Sequence, residues 1–276
     1  MKIKFGFVSR HLLLAAIVLL PASMRAGSQI INTDTSGFFS SFDGVKIYYE
    51  VKGNGKPVLL VHGFVVNGES WKQTSLYDDL LKAGFKVITL DLRGNGKSDK
   101  PHDPQAYSKD AEARDIIGLM KMLRIDEYSV VGYSRGSIIT ARLLVLDKRI
   151  SKAVMGGIGV DFTNPEWPRR IMFYKALSGE PVKELEGLIK RVKESGLDQQ
   201  ALACMQKEQP STSKEELGAI KQPVLIICGD KDDDNGSSLE LVKLIPKGIH
   251  ENVPGDHGSA SKTKEFSENV IAFISN

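Results

Sequence analysis

Five short apolar runs recur along the chain: KPVLLVHG (56–63), FKVITLD (85–91), EYSVVGYS (127–134), KAVMGGIG (152–159) and QPVLIICGD (222–230). Continuous runs of this length suit strands of a sheet covered on both faces. GIHENV (248–253) reads as a last strand. Upstream, FFSSFDGVKIYYEVKG (38–53) alternates in two runs joined at Asp43-Gly44, the signal for a tight hairpin. Helical segments separate the runs. In SKDAEARDIIGLMKML (108–123), Ser108 is placed to cap, Asp110 and Glu112 fall in the first turn, and Ile116, Ile117, Met120 and Leu123 form one apolar face. Alternating strands and helices predict an α/β fold with a doubly wound, mostly parallel sheet.

One stretch breaks the alternation. Residues 161–220 carry Pro165, Pro168, Pro181 and Pro210 in Lys/Glu-rich helical segments with no clear strand, and hold Trp167, Met172, Phe173, Tyr174 and Met205. An insertion of this length between two core strands predicts a small helical cap over the strand ends. The expected organisation is therefore a core of residues 27–160 and 221–276 with a cap at 161–220.

The first residues change the picture of charge and destination. Lys2, Lys4 and Arg10 precede or flank an uncharged run from Leu12 to Leu20, and Ala22, Ser23 and Ala26 follow. That is the layout of a secretory signal peptide spanning residues 1–26, and the run is about half the ~20 residues of a membrane-spanning helix. Residues 1–26 hold four Lys and Arg side chains and no acid, so the formal net charge of +3 for the whole chain becomes −1 for the remainder. The basic balance belongs to the targeting segment, and nothing points to nucleic acid as a partner. The remaining ~250 residues suffice for one sizeable core. Cys204 and Cys228 are too few for a disulfide scaffold, and Cys228 ends an apolar strand, so both are expected as buried free thiols.

The candidate chemistry sits in VVGYSRGS (130–137). A strand ends at Ser134 and a helix begins at once with RGSIITARLLVL. So sharp a reversal forces the turning residue into strained dihedrals and requires small neighbours two positions away, which Gly132 and Gly136 supply. Ser134 is left at the apex above a helix N-terminus, whose free N–H groups favour a developing anion. G-x-S-x-G alone is a weak pattern; its place between strand and helix makes it a nucleophile elbow.

With the elbow recognised, the chain resembles the α/β-hydrolase superfamily, over nearly all of the mature length. VLLVHGF is similar to the family's oxyanion-loop strand, DLRGNGKSDKP to its D-x-R-G-x-G-x-S turn and GYSRG to its elbow. PVLIICGDKD followed by VPGDHGSA resembles its acid and histidine loops. Small capped esterases, perhydrolases and enol-lactonases are nearest in character. The family's order of serine, acid and histidine sets aside His62 and His102, which precede Ser134, and His11 leaves with the signal segment. His250 opens the last strand, at the sheet edge away from Ser134, whereas His257 follows it; the resemblance assigns His257 as base. For the acid, the family's G-x-x-D counted from Gly229 selects Asp232, with Asp230 its nearest rival and Asp161 a third candidate. The oxyanion donors implied are the backbone N–H groups of Phe64 and Arg135. Arg135 also raises a choice: its guanidinium meets an acidic substrate, or turns away to pair with an acid.

Competing motifs fail on spacing. GNGKS (94–98) would need the first P-loop glycine at Asp91, and dinucleotide fingerprints from Gly94 or Gly157 would need glycine at Asp99 or Phe162. DKDDDNG has its glycine one place late for a calcium loop, with Leu241 where the bidentate glutamate belongs. Within the resembled family, dehalogenases and epoxide hydrolases carry aspartate at the elbow, where this chain has Ser134. The expectation is an exported serine hydrolase of small to medium carboxylic esters, needing no cofactor or metal. The same residues also suit carbon–carbon bond hydrolysis or perhydrolysis, or a fold retained for ligand binding alone.

Overall fold

The computed structural model describes residues 1–3, 6 and 34–276, and the expected signal segment lies, apart from those four positions, outside the described residues. The hairpin strands are β1 (Thr35–Ser40) and β2 (Lys46–Lys52), followed by β3 (Pro57–Val61), α1 (Ser75–Lys82), β4 (Lys86–Leu90), α2 (Ala111–Met122) and β5 (Tyr128–Tyr133). Then come α3 (Arg135–Leu146), β6 (Ile150–Gly156), α4 (Pro168–Leu177), α5 (Glu186–Glu194), α6 (Gln199–Lys207) and α7 (Lys214–Gly218). β7 (Val224–Gly229), α8 (Ser238–Lys243), β8 (Gly248–Val253) and α9 (Lys264–Ser275) complete the chain. The eight strands form one sheet in the order β1-β2-β4-β3-β5-β6-β7-β8. β1 and β2 pair antiparallel, as does β2 with β4, and all remaining pairs are parallel.

Successive residues of a strand point to opposite faces, and the core divides accordingly. Leu59, Val61, Ile88, Val130, Met155 and Ile226 pack with Ile116 and Met120 of α2 and Ile138 and Leu143 of α3. Their strand neighbours Val58, Leu60, Val87, Val131, Val154 and Leu225 pack with Leu76 and Leu80 of α1 and Phe266 and Val270 of α9. Two apolar faces per strand explain why the sequence runs are continuous rather than alternating.

Local choices differ from expectation at α2. The helix starts at Ala111, after Asp110 in a left-handed conformation (φ 58°), and Asp110 makes no side-chain cap bond. Its carboxylate instead accepts from Arg142 Nε and Nη2 at 2.8 and 3.0 Å. Ser108 does not cap α2; its hydroxyl donates back to the Gln105 carbonyl. A charge-assisted fork to Arg142 outweighs a neutral cap at this site. Cys204 and Cys228 are both buried and free.

Between β6 and β7 the chain is helical, with no strand from 161 to 220 among the described residues. Leu177, Val192, Leu202, Cys204 and Met205 form a third apolar cluster there, against which Phe64, Val65 and Tyr174 pack. The Gly94/Gly96 turn beside it is architectural. A Cβ on Gly96 would lie 2.1 Å from the Asp91 carboxylate, which accepts the Gly68 and Lys97 N–H groups.

Candidate active site

Phe64, Ser134, Asp232 and His257 lie just beyond the C-terminal ends of β3, β5, β7 and β8, four mutually parallel strands. Parallel strands carry all such ends to one edge of the sheet, where the connecting loops build a site. Ser134 occupies φ 53°, ψ −122°, a conformation seldom adopted by residues with side chains. The neighbours explain how it is held. A Cβ on Gly136 would lie 2.1 Å from the Val61 carbonyl oxygen, and one on Gly132 would lie 2.4 Å from the Gly136 carbonyl oxygen. The Ser134 N–H donates to the Gly156 carbonyl at 2.8 Å, and Ser137 Oγ reaches the same oxygen at 2.8 Å. The strain is thus fixed by close backbone approach on both sides.

His257 joins the other two candidates. Its Nε2 lies 2.8 Å from Ser134 Oγ and its Nδ1 2.9 Å from Asp232 Oδ2. The Asp232 side chain is 2% exposed and that of His257 26%, so the carboxylate is shielded while the imidazole faces the cavity. Such a chain orders a single tautomer, with Nδ1–H donating to the carboxylate and Nε2 free to accept from the serine hydroxyl. Tyr133, immediately before the serine, donates its hydroxyl to the His257 carbonyl at 2.8 Å and packs its ring 5.5 Å from the imidazole. Burial pushes the Tyr133 phenol well above its ordinary pKa, keeping it a donor.

The rival groups are engaged elsewhere. Asp230 Oδ1 accepts from the Gly255 N–H at 2.9 Å, closing the loop that carries His257. Asp161 is exposed, and its carboxylate lies against the Gly236 backbone. His250 pairs with Ser238 at 2.9 Å and His102 with Asp198. His62 is buried; its Nδ1 lies 2.8 Å from the Gly63 carbonyl, and Nε2 accepts the Leu92 N–H at 3.0 Å. Burial holds the His62 pKa below its ordinary value, so a neutral ring braces the turn leading to Phe64.

Two residues at this site have backbone N–H groups without an acceptor. Arg135 opens α3, so its N–H has no acceptor one turn back. The Phe64 N–H meets no acceptor among the described residues. Both residues line a cavity of about 170 Å³ together with Ser134 and His257. That volume lies below the ~300–1,000 Å³ usual for drug-sized ligands. Its apolar wall includes Ile138, Ile158, Trp167, Phe173 and Leu188. Phe173 stacks edge-on to Phe64 at 5.9 Å, so it belongs to the cavity wall, whereas its neighbour Tyr174 packs into the helical cluster. The Arg135 guanidinium takes the second of its two predicted courses: Nη1 and Nη2 donate to Glu112 at 2.7 and 2.5 Å. The sequence reading places Glu112 in the first turn of α2 and names no partner for it.

Asp232, Asp234 and His257 bring potential ligand atoms within 4.8 Å of one another. Those donors are committed, since both His257 nitrogens are engaged and Asp234 pairs with Arg169 at 3.1 Å. Chemically, the arrangement offers a hydroxyl beside a proton acceptor, an oriented carboxylate, and two free N–H groups at an apolar cavity.

Residues 56–179 match the family model for the α/β hydrolase fold. A protein of Synechocystis sp. is 41% identical over 113 residues, which is 40% of this chain and 40% of that one. The crystal structure of a bromoperoxidase from Bacillus anthracis superposes with a TM-score of 0.70 at 26% identity, covering 88% of this chain and all of that one. An esterase from Exiguobacterium antarcticum shares the fold at a TM-score of 0.74 and 20% identity, covering 88% of this chain and 100% of its own. The sheet order, the loops at its C-terminal edge and these matches have one common reading. The chain has the α/β-hydrolase fold and is similar in sequence to members of that superfamily.

Proposed function

We propose that the protein is a serine hydrolase that cleaves small to medium carboxylic esters through an acyl-enzyme. The observation that carries this reading is the continuous contact from Asp232 through His257 to Ser134, at 2.9 and 2.8 Å. Ser134 Oγ attacks the ester carbonyl carbon while its proton passes to His257 Nε2. The N–H groups of Phe64 and Arg135 hold the oxyanion that forms. Collapse breaks the bond to the alkoxy oxygen, which leaves with the proton from His257. Water then repeats the sequence on the acyl-serine and releases the acid. Asp232 orients the imidazole and stabilises its charged form without taking its proton.

Residues 161–220 act as a cap whose Trp167, Phe173 and Leu188 help to shape the acyl site and exclude water. Residues 1–26 direct export and are removed; no helix among the described residues is long and apolar enough to cross a membrane. The chemistry requires neither metal nor cofactor.

A fluorophosphonate probe tests the reading, because it phosphonylates only a serine activated by its neighbours. The expected result is one adduct per chain, on the Ser134 peptide, together with turnover of p-nitrophenyl acetate and butyrate. An unlabelled Ser134 in folded protein contradicts the reading and leaves a ligand-binding fold.

A further inference from the structure

The cavity that holds Ser134 is also lined by Arg170 of α4, by Gln206 of α6 and by Gln209, two residues beyond α6. Most charges lining this cavity are balanced by a partner. Arg135 is matched by Glu112 and Arg169 by Asp234. Arg170 is not. Its Nη1 donates to the carbonyls of Gln206 and Lys207 at 3.0 and 2.8 Å, and Nη2 to that of Pro165 at 2.8 Å. No carboxylate pairs with it among the described residues, and its buried Nε has no hydrogen-bond partner. Gln206 is 5% exposed, yet neither its amide nor that of Gln209 bonds to another described residue.

Carbonyl contacts hold a guanidinium in position without cancelling its charge. An uncompensated, half-buried cation beside two uncommitted amides offers donors and charge that an anionic group in the cavity would complete. The geometry points to an anion subsite: the preferred substrate is an ester that carries a carboxylate on the end remote from the scissile bond, as in a monoester of a short dicarboxylic acid. Arg170 meets that carboxylate with its charge and with the Nη2 hydrogen that the Pro165 carbonyl leaves open. Gln206 and Gln209 donate their amide N–H groups to its oxygens. Arg170 is then a specificity-determining residue, remote from the reacting atoms. The inference rests on Ser134 being the nucleophile for its catalytic consequence, while the binding of the anion does not.

The test compares the mono-p-nitrophenyl ester of glutaric acid with p-nitrophenyl pentanoate, of equal chain length. Wild-type enzyme should favour the anionic ester by about tenfold or more in kcat/KM. Arg170→Met should bring that ratio close to one. Because Arg170 also holds the end of α6, Gln209→Leu provides a second variant that leaves those carbonyl contacts alone and should lower the ratio as well. In parallel, calorimetric titration of Ser134→Ala with glutarate should detect binding that Arg170→Met removes and that pentanamide does not reproduce. Arg170-dependent glutarate binding without turnover of either ester supports the subsite and defeats the esterase reading. Turnover of both esters at equal kcat/KM, with no glutarate binding, overturns the subsite and leaves the esterase reading standing.

Discussion

Glu112 and Arg135 meet through two parallel hydrogen bonds of 2.7 and 2.5 Å, with side chains only 2% and 3% exposed. The pair ties α2 to the first residue of α3, the same residue whose backbone N–H is assigned to the oxyanion. Glu112 is therefore a positioning residue for the elbow. Glu112→Ala leaves a buried, unpaired guanidinium and should cost about 3–5 kcal/mol of stability by urea unfolding. In the folded variant the loss should fall on kcat more than on KM, since the oxyanion forms only in the transition state. Equal loss in both would assign the pair to packing alone.

The acid assignment is tested by two neighbouring substitutions. Asp232 contacts His257, whereas Asp230 accepts from the Gly255 N–H. Asp232→Asn should lower kcat by roughly 10³–10⁴-fold, because the amide favours the wrong imidazole tautomer. Asp230→Asn should keep kcat within about tenfold of wild type and act chiefly on the stability of the His257 loop. The reverse ranking would move the acid to Asp230.

Much of the fold and of the candidate site is legible in the amino-acid sequence. Uninterrupted runs such as VLLV and VLII mark doubly covered strands because each of their faces packs on helices. Glycines flanking Ser134 mark the elbow because close backbone approach admits no Cβ. Features that depend on contacts across the chain are not legible. Glu112 lies 23 residues from Arg135, and nothing local distinguishes it from a solvated first-turn acid. Arg170 likewise sits among many Lys and Arg residues, and only the packing of α4 on α6 separates it from a surface charge. Ser108 misleads for the opposite reason: a sound local cap signal loses to the Asp110–Arg142 ion pair.

Phe173 and Trp167 line the cavity beside Ser134. Replacing either with alanine enlarges the acyl site and should shift the preferred acyl length of a p-nitrophenyl ester series upward by two or so carbons, as ~0.8 kcal/mol per buried methylene becomes available. The measurement is kcat/KM from acetate to decanoate, with circular dichroism to check folding. An unchanged chain-length profile in both variants would restrict these side chains to holding the helices together.

Export is checked at the N-terminus. The basic start, apolar run and small residues at 22–26 predict cleavage close to Ala26. Mass spectrometry of protein from the native cell envelope should find a mature N-terminus between Ser23 and Ile30. Intact Met1 in the cytosolic fraction would contradict it.

The central claim is that Ser134 performs the chemistry, and the most direct measurement is kcat for ester hydrolysis by Ser134→Ala, His257→Ala and the double variant. The account predicts that each single substitution lowers kcat by roughly 10⁴-fold or more and that the double variant is hardly worse, because the two side chains act as one unit. Full esterase activity in folded Ser134→Ala would contradict it.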